Sequence, residues 1–172
     1  PAGMEIMDKA LTKATNDFSK AGYPVDAEAM MIIELDGTES EVSELIKRVE
    51  EIAKENKCSS VKISKSDEER LKFWAGRKAA FPACGDLAPD YMCMDGSIPR
   101  GKLAEVLKEI QKLSVKYDLP VANAFHAGDG NLHPLIMFDA NDPDQLRRTE
   151  EFGAEILKYC VKVGGALTGE HG

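Results

Sequence analysis

Three histidines are the residues of this chain best suited to chemistry. Two of them close the run His126-Ala127-Gly128-Asp129-Gly130-Asn131-Leu132-His133. Apolar runs flank Asp129-Gly130, and Asp-Gly between such runs is a strong signal for a two-residue hairpin turn. With Asp129 and Gly130 at the turn centre, His126 faces His133 across the strand pair. Directly opposed side chains share one face of a sheet, with Cβ atoms about 4.5–5.5 Å apart. Two imidazoles at that spacing can share one metal ion at about 2.0–2.1 Å per nitrogen. The third histidine, His171, lies in Gly164-Gly165-Ala166-Leu167-Thr168-Gly169-Glu170-His171-Gly172. Glu170 is the candidate third ligand. Two histidines and one carboxylate leave a coordination position open for substrate or water, unlike a closed structural site.

The elements that must carry these residues follow from periodicity and punctuation. Met4, Met7, Leu11 and Phe18 predict a helix over residues 4–20, ended by Gly22-Tyr23-Pro24. Residues 29–35 read as an apolar strand closed by Asp36-Gly37. Thr38 and Glu41 form a capping box opening a helix to about Asn56, and residues 60–64 alternate as a strand. Ser66 and Glu69 open a helix through Leu71, Phe73, Trp74 and Arg77, ended at Phe81-Pro82. Residues 91–95 read as a strand. From Lys102 an apolar stripe marks a long helix stopped before Pro120, then come the strand ending at His126 and its hairpin partner. Asp142-Pro143 opens the last helix, and Gly164-Gly165 stops it. Two strand–helix–strand units in tandem predict an α+β domain: a ferredoxin-like antiparallel sheet with helices packed on one face, an additional strand and flanking helices.

A chain of 172 residues holds one domain and can bury a real core. Its net charge of −8 argues against nucleic acid or an anionic membrane as main partner. Cys58, Cys84, Cys93 and Cys160 show no CxxC spacing and read as reduced thiols of a cytoplasmic protein. No apolar run reaches the roughly 18 residues needed to span a bilayer. Gly128-x-Gly130 and Gly164-Gly165 do not fit GxGxxG between a strand and a helix start, so dinucleotide binding is not expected of these residues. The chain begins at Pro1 and stops inside a glycine-rich motif, so both ends read as cut.

The pair His-Ala-Gly-Asp-Gly-Asn-Leu-His and Leu-Thr-Gly-Glu-His-Gly, with Asp95-Gly96-Ser97-Ile98-Pro99-Arg100 upstream, resembles the C-terminal cap domain of FAD-linked 2-hydroxy-acid oxidases and dehydrogenases. That group includes the FAD-binding D subunits of glycolate oxidases, D-lactate dehydrogenases and D-2-hydroxyglutarate dehydrogenases. The resemblance covers residues 1–172. It implies that this is the substrate- and metal-binding half of a flavoprotein whose N-terminal FAD-binding domain is missing. It implies His126, His133 and Glu170 as ligands of a divalent metal such as Zn, Mn or Fe. It implies Arg77 as the clamp on the substrate carboxylate and His171 as the base that takes the hydroxyl proton while hydride passes to FAD. Some relatives carry a lysine near position 93 for a larger diacid. Met92-Cys93-Met94 stands here instead, which favours a smaller substrate of the glycolate or D-lactate type.

The chemistry of the residues agrees with that implication. An alcohol donates hydride poorly until its proton leaves, and a metal with a neighbouring base eases that loss. Arginine's planar fork suits a carboxylate. The hydride acceptor must be a cofactor. Arg77 has a second reading as a salt-bridge partner, and Asn131 is either a turn residue or a substrate-side amide. Two rival functions remain open: a metal-dependent hydrolase and a non-catalytic interaction module. The surface meeting the FAD half is a place for self-association into a homo-oligomer, and further oxidase subunits are the remaining partners expected. Contact with a membrane would run only through such subunits.

Overall fold

The computed structural model describes residues 1–169. Six strands and six α-helices follow one another as β1 (Gly3–Asp8), α1 (Lys9–Ser19), β2 (Ala29–Glu34), α2 (Glu39–Glu55), α3 (Asp67–Lys78), α4 (Ala80–Ala83), β3 (Asp90–Cys93), β4 (Gly96–Ser97), α5 (Leu103–Tyr117), β5 (Val121–His126), β6 (Asn131–Phe138) and α6 (Pro143–Lys162).

The sheet is antiparallel throughout, in the order β2-β1-β5-β6-β3, with the short β4 also on β6. Both β3 and β5 pair antiparallel with β6, so they run parallel to each other, and α5 is the crossover between them. After α6 the chain returns to bridge Ala166 to Ser97. This is the ferredoxin-like pattern, extended past β5 by β1 and β2. One face of the sheet packs Phe125, Leu132, Ile136 and Phe138 against Val106, Ile110 and Leu113 of α5 and Phe152 and Ile156 of α6. The flanking helices cover the other face, where Met7, Ala124, Leu135 and Met137 meet Leu11 of α1, Ala80 of α4 and Cys84.

Two expected elements differ. The helix read over residues 4–20 is a strand followed by a helix. Burial alternates along β1, with Glu5 and Met7 inward, and Asp8 caps α1 by accepting from Leu11 N at 3.0 Å. A cap residue at that point stops helix from propagating backward into the strand. Residues 60–64 form no strand. They pair with no strand, and Val61 and Ile63 are exposed, so the alternation has no apolar face to bury. The tandem strand–helix–strand reading therefore holds only for its second unit.

Candidate functional site

The hairpin turn is wider than its sequence suggests. His126 pairs with Asn131, and His133 pairs with Ala124, leaving residues 127–130 as a four-residue turn. The two histidines are diagonal neighbours, not direct opposites. Neighbouring segments claim the turn's backbone groups: Gly128 N donates to Met4 O of β1, and Ile98 N, just beyond β4, donates to Gly130 O. Those bonds pull residues 128 and 130 to opposite sides, so they cannot close a two-residue turn. Gly130 has φ of 78°, and a Cβ there would strike the Ile98 carbonyl.

The register differs by two residues, an even number, so every side chain keeps its face. His126 and His133 stand on the same side of the sheet, with ring centroids 5.1 Å apart and planes at 90°. His133 is 2% exposed and His126 31% exposed. Phe81 packs edge-on to His133, at 6.5 Å between centroids.

Each imidazole has a carboxylate on its Nδ1 side. Glu5 Oε1 lies 2.7 Å from His126 Nδ1. Asp95 Oδ1 lies 3.9 Å from His133 Nδ1. Asp95 also reaches the C-terminal arm: its Oδ2 accepts from Thr168 Oγ1 at 2.7 Å and from Gly169 N at 3.1 Å. Gly169 lies against Asn131, where a Cβ would come within 2.5 Å of the amide carbon. The last described residues of the arm therefore sit beside the histidine pair. Glu170 and His171, read from the sequence as third ligand and base, lie outside the described residues.

Arg77 stands in the last turn of α3 and is buried. Tyr23 fixes that turn: its ring lies against Gly76, where a Cβ would overlap it, and its hydroxyl donates to the Phe73 carbonyl. Burial pushes the Tyr23 phenol up to about 12, so it stays a donor. Arg77 Nη2 pairs with Glu5 Oε2 at 2.9 Å, and Arg77 Nε is buried without a hydrogen-bond partner. The salt-bridge reading of Arg77 thus holds in a buried form, with Glu5 as partner. Glu5 and Asp95 were not singled out from the sequence. Glu5 lies 121 residues from His126, and no local pattern reports that pairing. Asn131 opens β6, is 5% exposed, and its Oδ1 has no hydrogen-bond partner.

Among the described residues, no group of three or more His, Cys, Asp or Glu side chains is disposed to hold a metal ion. The donor set still suits one in part. A metal-bound histidine commonly gives its second ring N–H to a carboxylate, and Glu5 stands in that place for His126.

The profile of the family described as "FAD linked oxidases, C-terminal domain" matches residues 1–172. The chain belongs to that family. It is 55% identical over its full length to the glycolate oxidase subunit GlcD of Escherichia coli K12, of which it covers 34%. It is 34% identical to the GlcD of Bacillus subtilis, covering 37%, and 28% identical to a probable mitochondrial D-lactate dehydrogenase of Danio rerio, covering 34%. The chain thus spans about a third of the length of the curated relatives it matches. A solved 4-ethylphenol oxidase from Gulosibacter chungangensis shares the fold, with TM-score 0.59 at 12% identity over 95% of this chain and 38% of that one. No helix among the described residues is long and apolar enough to cross a membrane.

Proposed function

We propose that this domain is the substrate- and metal-binding half of a flavin-dependent oxidoreductase that oxidises a small 2-hydroxy acid, of the glycolate or D-lactate type, to the 2-oxo acid. The observation that carries the reading is the histidine pair on one face, with a carboxylate behind His126 and the Thr168-Gly169 arm clipped alongside. FAD, bound mainly by the remaining two thirds of such a protein, is the hydride acceptor. A divalent ion such as Zn, Mn or Fe, held by His126, His133 and Glu170, would lower the cost of forming the alkoxide.

The chain's own residues supply recognition and proton handling. Arg77 offers its buried Nε to a carboxylate. The Asn131 amide lines the same face of the sheet as both histidines and can hydrogen-bond a bound acid. His171 follows the arm that Asp95 pins, and it takes the hydroxyl proton. Cys93 pairs with Leu135 on the histidine face, so position 93 offers a thiol in place of a lysine for a second carboxylate. That favours a monocarboxylic substrate over a diacid. The word "subunit" in the relatives' names supports further oxidase subunits as partners. A cytoplasmic location fits composition and charge.

The test is anaerobic reduction of the flavin in the full-length protein. Glycolate or D-lactate bleaches it, His171→Ala slows the bleaching by at least about a hundredfold, and 2-hydroxyglutarate works poorly. Equal rates with the diacid would sink the substrate assignment. Metal-dependent ester cleavage without flavin would favour the hydrolase instead.

A further inference from the structure

Glu5 touches two parts of the site at once. Its Oε1 is 2.7 Å from His126 Nδ1, and its Oε2 is 2.9 Å from Arg77 Nη2. The ladder delivers the first contact, because Glu5 and His126 are paired residues on β1 and β5. The end of α3 delivers the second. Both Glu5 and Arg77 are about nine-tenths buried, with side chains 11% and 9% exposed. An ionised carboxylate has acceptors only, so the hydrogen between Glu5 and His126 belongs to Nδ1. A neutral imidazole with hydrogen on Nδ1 has its lone pair on Nε2.

We infer that Glu5 is a positioning residue, which holds His126 in the tautomer with hydrogen on Nδ1, so that Nε2 is the ring's donor atom for a metal, and pairs with Arg77 at Nη2, while the buried Arg77 Nε is left for the substrate carboxylate. This rests on His126 as a metal ligand and Arg77 as the clamp, as proposed above. One carboxylate bridging both groups ties the hydroxyl end of the site to the carboxylate end. A glutamine cannot replace it. The contact with Arg77 is an ion pair, which a neutral amide cannot make, and an amide has one acceptor oxygen, so either the pairing with Arg77 is lost or His126 changes tautomer.

The test is long-range 1H–15N spectroscopy of His126 in the protein, at a pH where the ring is neutral. The wild-type ring carries its hydrogen on Nδ1. In Glu5→Gln a major fraction moves it to Nε2, or the Arg77 Nε–H signal broadens as the fork is released. Zinc affinity falls about 10–100-fold, the usual loss when the partner behind a ligating histidine is removed. A wild-type ring with its hydrogen on Nε2 overturns the inference. So does a Glu5→Gln variant with tautomer, Arg77 signal and zinc affinity unchanged. Should Glu5→Gln fail to fold, the wild-type spectrum alone decides. His126→Ala separates the two layers: if it leaves zinc binding intact, the metal reading fails, and Glu5 is judged on tautomer and Arg77 signal.

Discussion

Replacing Arg77 with methionine leaves the Glu5 carboxylate buried without its cation. Their contact is 2.9 Å, and both side chains are about nine-tenths buried. Removing one partner of such a pair costs about 3–5 kcal/mol, because the remaining charge has lost its solvation and its compensation. Glu5 keeps the hydrogen bond from His126, which places the expected loss at the lower end, about 3 kcal/mol. A domain of this kind has only about 5–15 kcal/mol of stability in total. With a urea dependence of roughly 2 kcal/mol per M, the midpoint falls by roughly 1.5 M. The chain's one tryptophan, Trp74, lies a turn before Arg77 on α3 and reports the transition by fluorescence. The exposed pair Lys13–Asp17 is the control, and Lys13→Met leaves the midpoint within error. The double variant Glu5→Gln/Arg77→Met removes both charges and costs less than the sum of the single changes by at least about 1 kcal/mol. Additive effects, or a shift for Arg77→Met no larger than the control's, would refute the buried pair.

Two further outcomes follow from the same geometry. Gly169→Ala drives a Cβ against Asn131 and pushes the arm off the hairpin, costing about 1–3 kcal/mol and exposing the chain after Ala166 to limited proteolysis; unchanged cleavage would contradict that packing. Burial raises the Asp8 carboxyl above its usual value of 3.8. Its contribution to stability is therefore fully present below that value and is lost as pH rises through the folded value. Asp8→Asn keeps the cap, since asparagine accepts as well and Asn123 can turn its unpartnered Oδ1 toward the new amide. The variant gains on wild type between pH 4 and pH 7 in urea melts, and a gap that narrows over that range would reverse the assignment.

Much of the scaffold was legible because its signals are local. The Thr38–Glu41 capping box forms with both arms, Ser66 accepts from Glu69 N, and Asp142 caps α6 with Pro143 inside the first turn. The common face of His126 and His133 was legible too, although for an incomplete reason. The two-residue turn was overruled by bonds to Met4 and Ile98, yet the even shift kept the parity. What local pattern could not report is pairing at long range. Met4 and Met7 stand at a helical spacing of three, and it is the ladders with β2 and β5 that make β1 a strand, the second bringing Glu5 to His126. Residues 60–64 alternate as a strand should, but alternation does not supply a neighbour. Arg77 was reached through the family resemblance, and Asp95 only as part of a motif. Their partners, Glu5 and the Thr168-Gly169 arm, come from opposite ends of the chain.

The most direct measurement is calorimetric titration of the protein with Zn2+ and Mn2+, beside His126→Ala and His133→Ala. The expected result is one equivalent bound by wild type, with stoichiometric binding lost in both variants while their melting remains cooperative. Wild type that binds neither ion, or a His133→Ala protein that binds as wild type does, would contradict a metal centre built on these two imidazoles.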